Sequence, residues 1–263
     1  MPETSYFVAS LARGLSIMSA FSDETPSFSL TEIAHRLNLN KTTAFRLIST
    51  LQALGYVERD ERTRNYRPGR EILRLGFVVV NGMEVRQVAK PYLDRLAEES
   101  GETANLSVLD GSEVIYVDRT RARSFLGITL QIGTRLPAYC TSAGKVHLAY
   151  LPLADLEDIL AATVWEARTP YTLTTPRALL ADLERVRQRG YAVNAEELTP
   201  GMCAVAAPVF SSEGAVAAAV DITMFTGRLP CEEMEQACAP LVVKAAQEVS
   251  RALGYRLSST QGV

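Results

Sequence analysis

Residues 29–68, SLTEIAHRLNLNKTTAFRLISTLQALGYVERDERTRNYRP, contain two short amphipathic helical patterns separated by a polar break, followed by a basic, strand-like hairpin. Ser29 precedes Leu30 with Glu32 three positions on, which is the spacing of a capping box at a helix start. That helix carries Ile33, Ala34 and Leu37 on one face, and Asn38-Leu39-Asn40 forms the turn after it. The next helix begins near Lys41, buries Ala44, Leu47, Ile48, Leu51 and Leu54, and ends at Gly55 as a C′ glycine. Tyr56–Arg59 and Asn65–Arg67 then read as two short strands around a charged turn. This order of elements is that of a winged helix-turn-helix, whose second helix enters the major groove of duplex DNA.

The outward, N-terminal face of that second helix presents Lys41, Thr42, Thr43 and Arg46. Backbone amides and short hydroxyls suit phosphate contact, and Lys41 and Arg46 have the reach for guanine O6 and N7. An ordinary capped helix with solvated charges would look the same in isolation; the wing beside it favours DNA. In the wing, Arg62 and Arg64 are the residues placed to meet phosphates or the minor groove, although Asp60 and Glu61 stand beside them. Arg13, on the first helix, suits either a backbone phosphate or a structural ion pair.

Charge is consistent with a local rather than a general affinity for nucleic acid. The 263-residue chain has a formal net charge of -3. Residues 1–70 hold nine Lys/Arg against seven Asp/Glu, and the remainder eighteen against twenty-three. A small basic face on an acidic body is what operator contact needs. The N-terminus has no basic segment leading into an apolar core, and no apolar run reaches the roughly 18 residues of a membrane span, so a cytoplasmic location is expected. Four cysteines without CxxC spacing and two histidines speak against a zinc site or a disulfide framework, and reduced thiols are expected. No cofactor motif appears: neither GxxxxGK[ST] nor GxGxxG is present.

Outward from the opening stretch, a first helix over Phe7–Phe21 places Val8, Leu11, Leu15 and Met18 on one face. A helical segment, EILRLGFVVV, follows the wing; it breaks at Asn81-Gly82 and restarts before Pro91. Its apolar faces suit a partner subunit. Beyond Ser100 come short strands, ETANLSVLD, GSEVIYVDRT and FLGITLQI, with a hairpin turn at Asp110-Gly111. Helices are expected at 142–151, 153–161 and 176–189, strands at 191–194, 203–210 and 215–222, and a last helix at 231–253. The expected class is α+β: a winged helix-turn-helix at 1–69, a linker helix at 70–83, and an antiparallel sheet with flanking helices at 84–263.

Four ordered stretches make the chain resemble the IclR family of bacterial transcription regulators: SLARGLSIMSAF, LTEIAHRLNLNKTTAFRLISTLQALGYVERD, GTRLPAYCTSAGK, and LLADLERVRQRGYAVNAEELTPGMCAVAAPVF. Within it, the chain is similar to the branch that governs protocatechuate and 4-hydroxybenzoate breakdown. The resemblance implies a GAF-like effector-binding domain and action as a dimer or dimer of dimers on a pseudo-palindromic operator. It implies an effector pocket at Ser142, Ala143 and Gly144, with Asn194, Met202, Cys203, Ala204, Asp221 and Thr223 around it. The small residues that open the 142–151 helix also suit, by their chemistry, close approach of an anionic ligand. Members that bind glyoxylate or pyruvate carry an aspartate near Asn194 and serines near Asp221 and Thr223. This chain departs at all three, which implies a larger, part-apolar organic acid, aromatic in class, with a hydroxyl or amine for Asp221.

Plain packing competes with these roles. Cys203 on a strand suits a small apolar filler, Tyr139 and Trp165 suit the core as well as the pocket, His35 a surface, and His147 a helix face without a partner. Ser142-Ala143-Gly144-Lys145 also matches the SxxK pattern of serine acyl-transfer enzymes, but SDN and KTG are missing and no enzymatic activity is expected.

Overall fold

The computed structural model describes residues 6–22, 25–121, 131–227 and 229–256. The chain divides into two compact units, Met1–Gly82 and Met83–Val263.

The first unit contains α1 (Ala9–Met18), α2 (Leu30–Arg36), α3 (Lys41–Ala53), β1 (Val57–Arg59), β2 (Tyr66–Pro68) and α4 (Arg70–Gly82). Local chemistry sets the boundaries. Ser29 and Glu32 close the capping box in both directions at the start of α2. Asn38 takes the left-handed conformation (φ 50°) in the turn, and Asn40 caps α3 by accepting the Thr43 amide at 2.8 Å. Gly55 (φ 77°) ends α3, a geometry that costs a β-carbon-bearing residue about 1 kcal/mol or more. β1 and β2 pair antiparallel with Glu58 opposite Arg67. Ile17, Phe28, Ile33, Ile48, Val57 and Tyr66 form the core.

The apolar face of α1 and one residue at the end of α3 differ from expectation. α1 buries Gly14 and Ile17, while Val8, Leu11 and Leu15 are exposed. Leu54 is also exposed, because α3 is already ending there. α4 buries none of its residues, and Leu73, Leu75, Phe77, Val78 and Val79 all face solvent within the chain.

The second unit begins with α5 (Glu84–Ser100), which runs through Pro91. A six-stranded antiparallel sheet follows, built from β3 (Thr103–Asp110), β4 (Glu113–Thr120), β5 (Arg135–Pro137), β6 (Ala192–Ala195), β7 (Met202–Phe210) and β8 (Val216–Phe225). The strand order is β5-β4-β3-β8-β7-β6. Its helices are α6 (Ser142–Ala149), α7 (Leu153–Ala162), α8 (Pro176–Arg189) and α9 (Cys231–Ala252). One sheet face, including Leu106, Val205, Val220 and Ile222, packs on α5 and α9; the other, including Val114, Ala206 and Ala219, packs on α6, α7 and α8. The strand expected at 125–132 lies, up to residue 130, outside the described residues. Strand β5 has only three residues, too few to show a periodicity in the sequence.

A β-bulge interrupts the pairing of β3 with β4. Asn105 pairs with Arg119, yet Ser107 pairs with Tyr116, so one extra residue of β4 is accommodated between them. Side chains alternate along a strand, and the bulge resets that alternation. Tyr116 and Arg119 thereby join Asn105 and Ser107 on the sheet face that carries α6.

The expectation of reduced thiols throughout is corrected. Cys203 and Cys231 form a disulfide, with α-carbons 5.7 Å apart. Cys203 projects from β7 toward α9, whose first residue is Cys231, so two cysteines 28 positions apart in sequence meet. Cys140 and Cys238 are free and buried.

Candidate functional site

The two units each carry a candidate site. In the first, α3 buries Ala44 and Ile48 and turns Lys41, Thr42, Phe45 and Arg46 outward, with Thr43 half-buried. Arg13 and Arg46, together with Thr43 and Thr50, front a groove between α1 and α3. The wing settles the problem of its acidic residues. The Asp60 carboxylate accepts from the Arg62 and Thr63 amides and the Thr63 hydroxyl, at 3.0, 2.8 and 3.0 Å. It is therefore a turn cap, held below the usual carboxylate range first by the Thr63 bonds. Glu58 pairs with Arg67 and Arg70, and Arg59 lies over the Tyr66 ring. The Arg62 charge helps to hold the Asp60 carboxyl low, and among the described residues neither Arg62 nor Arg64 has a carboxylate at ion-pair distance.

In the second unit, a cavity of about 180 Å³ lies between α6 and the sheet. Its wall holds Tyr116, Leu136, Thr141, Ser142, Arg168, Asn194, Leu198, Thr199, Met202, Cys203, Ala204 and Thr223. Ser142, Asn194, Met202, Cys203 and Thr223 thus come together as expected. Cys203 reaches the wall by its main chain, since its sulfur is bonded to Cys231 on the far face of the sheet. Ala143 and Gly144 are buried in packing instead. A β-carbon on Gly144 would collide with the Ala138 backbone, so this glycine serves close approach of α6 to residue 138.

Thr141 caps α6, accepting the Gly144 amide at 3.1 Å. Asn194 donates to the Cys140 carbonyl (2.7 Å) and accepts the Glu197 amide (2.9 Å), which fixes the turn in front of Ser142. Arg168 is the cation on the cavity wall, and no pattern in the sequence singles it out. The loop carrying it is anchored by Tyr139, whose hydroxyl donates to the Glu166 carbonyl and accepts its amide, and whose ring packs on Trp165. Tyr139 and Trp165 are therefore positioning residues behind the wall.

At the opposite end, Thr223 lines the cavity and donates to Asp221 at 3.1 Å, and Asn105 donates to the same carboxylate oxygen at 2.8 Å. Asp221 stands behind Thr223. Burial pushes its carboxyl up to about 6, against the Asn105 and Thr223 hydrogen bonds and the Arg119 charge that pull it down. Burial also raises the Tyr116 hydroxyl well above its ordinary value, with Asp221 adding to the effect. The second Asp221 oxygen, the Asn105 carbonyl oxygen and the Ser107 hydroxyl have no hydrogen-bond partner among the described residues.

One expectation is corrected by the geometry. His147 is buried and its Nε2 meets the Ser107 carbonyl at 3.3 Å, tying α6 to β3, and burial lowers its pKa to about 4. Lys145 does not face Ser142. Its ammonium pairs with Asp182 (2.7 Å) and with Glu197, deep behind the cavity. Engaged by both carboxylates, its Nζ is not placed to act on the Ser142 hydroxyl. Burial would push Asp182 up, but Lys145 and Arg185 outweigh it and hold it low; burial prevails at Glu197, which is raised.

A winged helix-turn-helix in one unit and a ligand-sized cavity in the other define a DNA-binding regulator with a sensor domain, and comparison with known proteins identifies which kind. Residues 10–61 match the IclR helix-turn-helix domain and residues 77–251 the C-terminal domain of bacterial IclR transcriptional regulators. The chain is 33% identical to the Pca regulon regulatory protein of Pseudomonas putida, over 94% of this chain and 84% of that one. It is 34% identical to the HTH-type transcriptional regulator XynR of Escherichia coli, over 94% and 98%. The crystal structure of Thermotoga maritima IclR superposes with a TM-score of 0.71 at 30% identity, covering 93% of this chain and 98% of that one. The chain belongs to the IclR family. Its relatives are transcription regulators, not enzymes, with DNA-binding N-terminal and effector-binding C-terminal domains. Among the described residues no helix is long and apolar enough to cross a membrane.

Proposed function

We propose that this protein is a cytoplasmic regulator of aromatic catabolism whose hold on a pseudo-palindromic operator is set by a small aromatic acid. Residues 1–69 serve as the DNA-binding domain, 70–83 as a linker helix and 84–263 as the effector-binding domain. The observation that carries the effector class is the cavity with unlike ends. About 150 Å³ of apolar cavity suffices for a benzene ring, so 180 Å³ suits one ring with its substituents. Arg168 and the start of α6 at Ser142 offer a carboxylate a cation, a hydroxyl and free amides. At the other end the Thr223 hydrogen is committed to Asp221, so its oxygen faces the cavity as an acceptor. A hydroxyl or amine on the far side of the ring satisfies it. The regulon named for the Pseudomonas putida relative accords with the protocatechuate-type resemblance.

Lys41, Thr42, Thr43 and Arg46 contact the operator from α3, and Arg62 and Arg64 from the wing. The exposed apolar faces of α1 and α4 serve self-association into a dimer or dimer of dimers, which presents two recognition helices to half-sites about one helical turn apart. The test is a thermal-shift panel of hydroxylated aromatic acids and short-chain keto acids, followed by operator binding with each hit. A hydroxybenzoate-type acid raises the midpoint and changes DNA affinity. Tight binding of glyoxylate with no response to any aromatic acid would overturn the effector class.

A further inference from the structure

The recognition helix carries one side chain that neither its own core nor phosphate contact explains. Phe45 is 51% exposed in the middle of the outward face of α3. Thr42, Phe45, Arg46 and Ser49 share that face at the i, i+3, i+4, i+7 spacing. Its other members are hydroxylated or cationic, and the inward side of the helix is already filled by Ala44 and Ile48. The exposed apolar faces suited to a partner subunit lie elsewhere, on α1 and α4, where leucines, valines and Phe77 dominate.

We infer that Phe45 reads a thymine, by packing its ring on the 5-methyl group in the major groove. Among the surfaces a recognition helix meets there, phosphates and base-edge donors and acceptors are polar. The thymine methyl is the apolar group that an aromatic side chain can cover. Arg46 and Lys41, on either side of Phe45 along the helix, reach phosphate or guanine and hold the ring against the base edge. Phosphate contacts tolerate many sequences and a guanine contact fixes only its own position, whereas a methyl contact separates T·A from C·G by shape and by loss of water. This inference rests on the DNA-binding role of α3 and assigns it a base.

The experiment begins with selection of duplexes from a randomised pool by the full-length protein. Each thymine of the selected half-site is then replaced singly by uracil, which removes only the methyl. Affinities are compared for the wild type, Phe45→Ala and Phe45→Leu. The expected result is one position per half-site where uracil weakens wild-type binding about fourfold, the worth of one buried methyl. Phe45→Ala binds about tenfold more weakly than wild type and is indifferent to uracil at that position, while Phe45→Leu retains part of the dependence. Because the uracil arm leaves the protein unchanged, folding of the variants does not confound it. Wild-type affinity that is unmoved by uracil at every position overturns the inference while leaving operator binding intact. Failure to enrich any sequence overturns the operator reading itself, and this inference with it.

Discussion

Helices α3 and α6 open with the same device and end with opposite fates. Asn40 and Thr141 each accept the amide three residues on, at 2.8 and 3.1 Å; Lys41, Thr42 and Thr43 follow the first cap and Ser142, Ala143 and Gly144 the second. Both starts offer free amides and a favourable dipole to an anion. α3 then leaves most of its surface in solvent, whereas all eight residues of α6 are buried. Exposure therefore selects the ligand. An open helix start beside lysine and arginine suits a polyanion that comes from outside, and an enclosed one beside a 180 Å³ cavity suits a small acid that must be desolvated to enter.

The comparison breaks most visibly at Lys145, which has no counterpart on α3. Lys145→Met leaves the buried Glu197 carboxylate without a cation and Asp182 with Arg185 alone, and is expected to cost about 3–5 kcal/mol, read as a lower urea midpoint. Arg46→Ala, on the open helix, is expected to leave that midpoint in place and cost about 1–3 kcal/mol of operator affinity. Equal stability losses in the two variants would contradict the contrast.

Asp221→Asn sharpens the enclosed side through pH. The wild-type carboxyl is raised in the fold to about 6, so between its unfolded value and pH 6 the native state binds more protons than the unfolded chain. Wild-type stability at this residue therefore falls as pH rises through that window and stays low above it. The asparagine variant is expected to unfold up to about 10 °C higher than wild type at pH 7.5, with the gap closing near pH 4. It should also bind a hydroxylated aromatic acid more weakly, because a neutral amide oxygen orients the Thr223 hydroxyl less firmly than the carboxylate does. The smallest effect is at the wing: Arg62→Ala and Arg64→Ala should each lower the salt slope of operator binding by about 1, uniformly across sequences.

Features legible in the sequence are those set by neighbours a few residues apart. Ser29 with Glu32, the glycine at 55, the Gly111 turn and the starts of α6 and α8 each follow from contacts within one helical or hairpin turn. Features that are not legible depend on distant partners. Lys145 meets Glu197 across 52 positions, Cys203 meets Cys231 across 28, and neither pairing leaves a local pattern. Arg168 sits in an irregular loop, so no periodicity marks it, and its position on the cavity wall follows from the Tyr139–Trp165 anchor, with ring centroids 5.3 Å apart. The exposed side of α1 misleads for another reason: an apolar stripe shows which helix face suits burial, not whether residues of its own unit cover it.

The open site and the enclosed site are expected to be coupled. Linkage makes this directly measurable, because an effector that changes operator affinity by some factor must have its own affinity changed by the operator by the same factor. The decisive measurement is calorimetric titration of the strongest aromatic-acid hit into the protein, alone and with saturating selected operator, alongside operator binding with and without that acid. Two equal factors of about fivefold or more are expected. An acid that binds in the cavity with the same affinity whether or not operator is present would contradict the coupling.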